Sequence, residues 1–297
     1  MRIILRACYA YMLYIMRARV NREPDLFTKK LPSQPIFIIV LYLKQSLTFD
    51  KNNIGSYILF IDMGEKIMNP KVFGWQHLVY LAVFIVVAVP GLILAKKYAK
   101  TEKSQQIILK CLGILLLGAI IFNRFTIVFR YGETRWLALI PDSLCGMTSL
   151  VTSLAVLFGK KDNKVYHFIW HLGLVGGGVT SIAPGFIGQD ASFLYLPTIS
   201  GLLHHTLTVI VVVALLLFNQ IHITYKKWHY SVLGLCFYLA FGSFLLTFLN
   251  YNDAFNMRGP LVANLTLWHL LPVYIVGYAL ILLTIELVRK YKAKKQS

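Results

Sequence analysis

The sequence predicts an all-α membrane protein, a polytopic bundle of about seven transmembrane helices. Hydrophobic residues make up 57% of the chain, charged residues make up only 14%, and seven apolar stretches follow Met68. A soluble domain of this length would contain about a quarter charged residues. A membrane-spanning helix needs about 20 mostly apolar residues, so 297 residues are enough for one bundle of this size.

The predicted spans are residues 75–95, 105–128, 136–158, 165–185, 196–219, 228–250 and 265–288. Basic residues fall mainly in every second gap and in the tail: Lys96, Lys97, Lys100, Lys103, Lys160, Lys161, Lys164, Lys226, Lys227, Arg289, Lys290, Lys292, Lys294 and Lys295. The opposite side has only Lys71, Arg130, Arg135 and Arg258. Because short basic loops remain in the cytoplasm, we predict that the membrane domain begins outside and that the C-terminus is cytoplasmic.

The net charge of +18 has the same explanation. The basic residues lie in short loops beside the spans, so they indicate positive-inside topology and contact with membrane lipids rather than with nucleic acid. A multi-pass protein of the cell membrane is expected. The four cysteines form no CxxC pair, so neither a disulfide framework nor structural zinc is predicted.

Residues 1–67 differ from the membrane domain that is predicted over residues 68–297. They contain ten basic residues, and their apolar run, Ile36 to Leu43, is too short to span a bilayer. We interpret residues 1–67 as a disordered or untranslated extension, with Met63 or Met68 as an alternative start.

Several spans contain helix breakers: Pro90-Gly91, Gly176-Gly177-Gly178, Pro184-Gly185 and Pro272. Glycines permit close helix packing, which is the simpler interpretation. A broken helix that lines a cavity is the alternative.

Polar residues inside the spans are expected to meet in the outer half of the bundle. In the third span, Asp142 and Cys145 share a helical face, and Cys145 should lie roughly 12 Å below the start of the span. In the fifth span, the side chains of His204 and His205 point about 100° apart, so at most one of them faces a given partner and the other could lie at the membrane interface. His269 lies near the outer end of the seventh span.

Each of these residues also has a simpler explanation. Cysteine in an apolar span is often a small packing residue, and His269 beside Trp268 fits an interfacial belt. His167 and His171 have the spacing of a metal pair but no obvious third ligand, so neither a metal nor a cofactor is predicted. A carboxylate such as Asp142 needs a partner, for which Arg130, Arg135 and a histidine are candidates.

The segments IPDSLCGMTSL (140–150), SIAPGF (181–186), LLHHTLTV (202–209) and NYNDAF (250–255), followed by RGP and LLPVYIVGYAL, resemble the YwaF-like bacterial integral membrane family. That family is related to transmembrane protein 164 of animals, which is thought to be a phospholipid acyltransferase. The resemblance covers about residues 70–297. It implies that Cys145 and His205 match the family's cysteine and span-five histidine, whereas His204 and Pro141-Asp142 depart from its pattern.

Three classes of function remain open. In an acyltransferase, Cys145 would be the nucleophile and His205 its base, with Asp142 or His269 orienting the imidazole. The candidate substrate-binding residues are Arg130, Arg135 and Arg258, which would hold a headgroup phosphate, together with His204 and Asn250. A transporter or lipid-binding protein would instead use Asp142 and the histidines as its site. The third class is a structural membrane protein.

Overall fold

The computed structural model describes residues 74–131, 136–184, 187, 195–259 and 266–296, and it is all-helical over these ranges. The helices are α1 (Trp75–Tyr98), α2 (Glu102–Tyr131), α3 (Leu144–Phe158), α4 (Lys164–Ile182), α5 (Leu196–Leu217), α6 (Trp228–Thr247) and α7 (Leu267–Gln296). The seven predicted spans therefore correspond to seven helices. The extension at residues 1–67 lies outside the described residues.

Five helical segments are long and apolar enough to cross a membrane: α1, α2, α5, α7, and α6 together with the 3-10 turn Tyr225–Lys227 that precedes it. These segments confirm a multi-pass helical membrane protein. The other two helices, α3 and α4, are shorter or richer in polar residues. Which ends of the helices face the cytoplasm stays a prediction.

Helix α5 is the centre of the bundle and packs against α1, α2, α3 and α4. More than half of the residues in α3, α4 and α5 are buried. In α1, by contrast, only His77 and Ala88 are buried, and most of α7 is exposed. The polar helices therefore lie inside a layer of apolar helices, as expected where the outer surface contacts lipid.

The predicted span 136–158 is not one helix. A 3-10 turn covers Trp136–Leu139, and α3 begins only at Leu144. Pro141 disfavours helical backbone at the residue before it and lacks an amide donor. Ser143 then caps the new helix, since its hydroxyl accepts a hydrogen bond from Gly146 N. Cys145 is thus the second residue of α3, and Asp142 precedes that helix, so the expectation that the two residues share a helical face is wrong. The depth of Cys145 in the membrane stays a prediction.

Helix α4 runs without a break through Gly176, Gly177 and Gly178 and ends before Pro184. Pro90 and Pro272 also lie inside continuous helices. The glycines of α4 pack against neighbouring helices, as described below. For α4, the close-packing interpretation holds and the broken-helix interpretation does not.

Candidate functional site

The Cys145 thiol lies between the first turn of α3 and the middle of α4. A Cβ atom placed on Gly176 would lie 3.3 Å from Cys145 Sγ, so the thiol contacts the α4 backbone where there is no side chain. Thr180, one turn further along α4, forms a hydrogen bond with the thiol. The α4 glycines therefore provide the space into which Cys145 projects.

The next glycine of α4 brings His205 to the same turn. A Cβ atom on Gly177 would lie 2.9 Å from the His205 carbonyl oxygen, closer than a methyl group normally approaches a backbone atom. Helices α4 and α5 are therefore in direct backbone contact at this level. Cys145 on α3 and His205 on α5 contact adjacent residues of α4, so the structure places both predicted residues beside one helical turn.

His204 and His205 form one buried unit. Their ring centroids are 4.1 Å apart, and the two side chains are 5% and 6% exposed. The expectation that one of them faces the interface is therefore wrong, because α5 is enclosed at this level by four other helices.

His204 is the histidine that bonds to α3. Its Nδ1 lies 3.1 Å from Ser149 Oγ, and Ser149 Oγ lies 2.8 Å from Thr208 Oγ1. Ser149 donates its hydroxyl proton to the Cys145 carbonyl oxygen at 3.0 Å. This network assigns the ring proton of a neutral His204 to Nδ1 and leaves Nε2 as an acceptor. Nothing in the described part of the chain forms a side-chain hydrogen bond with the His205 ring.

Asp142 pairs with Arg124 of α2. Arg124 NH1 lies 3.1 Å from Asp142 Oδ1, and Arg124 also donates two hydrogen bonds to the Ala138 carbonyl oxygen. The Arg124 side chain is 10% exposed and that of Asp142 is 40% exposed. The guanidinium is also within electrostatic range of His204. Among the described residues, the ion pair of Asp142 thus forms with Arg124 and not with a histidine, and the candidates Arg130 and Arg135 lie outside the described side chains.

A cavity of about 340 Å³ opens beside this ion pair. It lies between the turn at 136–142 and the loop that joins α6 to α7, and its lining includes Arg124, Asp142, Asn250, Asn252 and Asp253. Cys145 is not part of the lining. Of the polar residues predicted to converge, Asp142 and Asn250 line this cavity, whereas His204, His205 and His269 do not.

The α6–α7 loop is fastened to the turn before α3. Phe255 N donates to the Asp142 carbonyl oxygen at 2.7 Å, and Tyr251 OH donates to the Leu137 carbonyl oxygen. The carboxylate of Asp253 accepts backbone hydrogen bonds from residues 254, 258 and 259. These bonds hold the loop in place over the cavity, and they leave the Asn250 and Arg258 side chains exposed.

The remaining predicted residues lie away from Cys145 or outside the described side chains. His269 is exposed, and its Nδ1 bonds to Thr266 at the start of α7. No described hydrogen bond or ring contact joins it to Cys145, His204 or His205. Arg130 is in α2, but its side chain lies outside the described residues, as does all of Arg135.

Sequence reasoning missed several hydroxyl and amide groups in the core. Asn123 Nδ2 donates to Ser200 Oγ at 3.0 Å, and Thr126 Oγ1 lies 2.9 Å from the same atom. Tyr80 OH lies 3.0 Å from Thr206 Oγ1, which joins α1 to α5. Such residues are common in membrane helices as packing residues, so only a match between facing helices could have identified this network.

A second polar cluster lies on the lysine-rich side. Asp162, in the α3–α4 loop, accepts hydrogen bonds from Lys227, from His222 N and from His167 Nε2 when that nitrogen carries its proton. Partial burial raises the pKa of Asp162, but the hydrogen bonds from Lys227 and His222 outweigh this effect and the pKa falls below its usual value. His171 bonds instead to Ser231 of α6 at 3.1 Å. The two histidines with metal-pair spacing thus have separate partners, and the described residues contain no cluster of three metal-ligating side chains.

Comparison with known proteins identifies the chain at the level of the family. No curated protein and no solved structure matches it. The model of the TMEM164 family matches residues 72–288, which include helices α1 to α6, most of α7, Cys145 and the histidine pair. The chain, a multi-pass helical membrane protein whose half-buried Cys145 and buried histidine pair lie beside one turn of α4, belongs to the TMEM164 family.

Proposed function

We propose that the protein is a lipid acyltransferase of the cell membrane in which Cys145 is the nucleophile and His205 is the base. The observation that carries the proposal is the α4 glycine turn, where adjacent residues contact Cys145 Sγ and the His205 backbone. A cysteine acyltransferase needs a thiolate and a nearby proton acceptor. The family match covers both residues without assigning a role to either, and their roles follow from the resemblance of the segments around them.

The position of Cys145 in α3 suits a nucleophile. It is the second residue of a capped helix, where unpaired backbone N–H groups and the helix dipole carry partial positive charge. That charge favours a thiolate, whereas the apolar surroundings oppose ionisation, so the mechanism also needs a nearby base. Thr180 of α4 forms a hydrogen bond with the thiol.

The reaction consists of two balanced steps. In the first, His205 accepts the thiol proton, Cys145 Sγ bonds to the carbonyl carbon of a donor ester, the C–O bond breaks, and the leaving alkoxide takes the proton from the imidazolium. In the second, His205 accepts the proton of an acceptor hydroxyl, whose oxygen attacks the thioester. The S–C bond breaks and the thiolate takes the proton back. His204, bonded to Ser149, holds the neighbouring ring in place.

A second candidate function is non-enzymatic binding or transport of a lipid or small polar molecule. It is favoured by the outer cavity, which is lined by Arg124, Asp142 and the α6–α7 loop but not by Cys145. In this case Asp142 and Arg124 would contact the ligand. The histidines would then serve the buried hydrogen-bond network.

Substitutions at four positions test the proposal. Purified protein in lipid nanodiscs is incubated with a phospholipid that carries a labelled acyl chain and with a lysophospholipid acceptor. Cys145→Ala and His205→Ala should each reduce acyl transfer by at least about a hundredfold, and the double variant should be no worse than either, because the two residues act as one unit. His204→Ala should lower activity less, and Cys111→Ala, at an exposed position on α2, should retain it.

Full transfer by Cys145→Ala would overturn the acyl-enzyme mechanism. If, in addition, Asp142→Asn abolished binding or transport, the second candidate would replace it. A result in which His204→Ala is inactive and His205→Ala active would exchange the roles of the two histidines and contradict the proposed base.

A further inference from the structure

A groove separates α6 from α7 on the lysine-rich side of the bundle. Its wider part, of about 300 Å³, is lined by residues that include Tyr225, Trp228 and Leu283. A deeper part of about 80 Å³ is lined by Ser231, Leu235 and Tyr274. Trp228 and Ala279 line both parts, so the two parts are adjacent along α6 and α7.

The walls of the groove are apolar along most of its length. Leu282 and Leu283 of α7 face Trp228 in the wider part, and Val232 and Leu235 face Ile275 in the deeper part. From Tyr274 to Lys290 the groove follows α7 for about 24 Å, longer than one leaflet of a bilayer core about 30 Å thick. An open groove with such walls inside a membrane is filled by hydrocarbon, which indicates a lipid chain as its occupant.

The mouth of the groove carries one charge of each sign. Glu286 and Lys290 both line it and are four residues apart on α7, so their side chains are neighbours on one helix face. The described residues form no ion pair with either of them. Arg289, between them, donates instead to the Ile223 carbonyl oxygen and ties α7 to the segment before α6.

We propose that this groove binds a zwitterionic phospholipid. Its acyl chain lies between α6 and α7, its phosphate contacts Lys290, and its ammonium group contacts Glu286. The spacing of roughly 5–6 Å between neighbouring positions on a helix face suits the adjacent opposite charges of such a headgroup. A purely anionic headgroup would meet Lys290 but would also be repelled by Glu286. Tyr225 and Trp228 border the mouth, where aromatic residues favour the interface between water and lipid. This site is independent of the chemistry proposed for Cys145.

Native mass spectrometry of the delipidated full-length protein tests the proposal. Phosphatidylethanolamine and phosphatidylglycerol with identical chains are titrated separately. Phosphatidylethanolamine should bind more tightly, and Glu286→Gln and Lys290→Gln should each weaken its binding roughly threefold, since both charges are partly exposed to solvent. Lys292→Gln, on the same helix but outside the groove lining, is the matched control and should leave binding unchanged.

Ala279→Phe tests the position of the acyl chain. The added ring occupies the point where the two parts of the groove are adjacent, so binding of both lipids should fall at least about tenfold, a loss of about 1.4 kcal/mol. Equal or tighter binding of phosphatidylglycerol to the unaltered protein would overturn the zwitterionic assignment. Unchanged affinity in the Glu286 and Lys290 variants would overturn the headgroup site even if Ala279→Phe failed to fold.

Discussion

At the scale of single residues, the end of the bundle that carries the α6–α7 loop depends on the buried guanidinium of Arg124. This side chain bonds to the Asp142 carboxylate and to the Ala138 carbonyl oxygen, and it therefore joins α2 to the turn that precedes α3. A charged group removed from water is stable only when it is paired and hydrogen-bonded. Because Asp142 is three residues before Cys145, the ion pair also fixes where α3 begins.

Breaking the ion pair should therefore destabilise the protein. Asp142→Asn leaves a buried positive charge with fewer acceptors, and we expect it to lower the free energy of unfolding by about 1–3 kcal/mol. Thermal unfolding in detergent, followed by size-exclusion chromatography, provides the measurement. Arg258→Gln is the control, since its side chain is exposed and only its backbone N–H bonds to Asp253. Equal stability of the Asp142→Asn protein and the control would show that the pair has no structural role.

At the scale of helices, α4 is held against its neighbours by glycines. Gly177 contacts the backbone of α5, Gly176 contacts Cys145 of α3, and Gly173 contacts Thr208 and Val212 of α5. Because glycine has no side chain, the helix axes can approach closely, and the helices make more van der Waals contacts. These contacts matter in a membrane, where apolar burial provides little driving force for helix association. The same close approach brings Cys145 and His205 to one turn.

The adjacent glycines Gly177 and Gly178 provide a matched pair of substitutions. Gly177→Ala places a methyl group 2.9 Å from the His205 carbonyl oxygen, so we expect α4 and α5 to separate slightly, at a cost of about 1–3 kcal/mol in stability. Gly178→Ala meets no atom within 4 Å and should be neutral or stabilising by up to about 1 kcal/mol through helix propensity. Thermal unfolding of both variants, together with acyl transfer, checks this expectation. The account of α4 fails if both variants behave alike.

Helix existence could be predicted from the sequence, but helix bounds near polar residues could not. Apolar runs of about 20 residues identify spans regardless of their partners, which explains the agreement for α1, α5 and α6. Hydropathy does not register the effect of Pro141 and Ser143, so the start of α3 was placed several residues too early. The Arg124–Asp142 pair and the Ser149–His204 bond depend on how helices face each other, and a single sequence does not contain that information.

At the scale of the whole molecule, polarity increases toward the inside. Helices α1 and α7 expose apolar side chains, whereas α3, α4 and α5 enclose hydroxyl and imidazole groups. This arrangement is the reverse of that in a soluble protein, whose apolar groups lie inside. It is stable when lipid surrounds the outer helices and the polar groups form hydrogen bonds within the bundle. The order of the helices and the alternation of lysines then predict that Cys145, His204 and His205 lie in the half of the bundle that faces outward.

Reporter fusions test this orientation. Loops rich in lysine and arginine remain in the cytoplasm. Fusions after Lys103, Lys161, Lys227 and Ser297 should therefore report from the cytoplasm. Fusions near Gly132, Gln189 and Asn252 should report from outside. Alkaline phosphatase and green fluorescent protein provide complementary signals. If the C-terminus and the loop near Gln189 reported from the same side, the predicted topology would be wrong.

The central claim is that Cys145 carries an acyl group during the reaction. The most direct measurement is intact-protein and peptide mass spectrometry after the protein in nanodiscs is mixed with a phospholipid donor in the absence of acceptor. The account predicts a mass increase of one acyl chain on Cys145, and hydroxylamine should remove this chain, as expected for a thioester. No hydroxylamine-sensitive acyl chain should form in Cys145→Ser, and the amount formed in His205→Ala should be strongly reduced. An unmodified Cys145 in protein that still transfers acyl chains once acceptor is added would contradict the account.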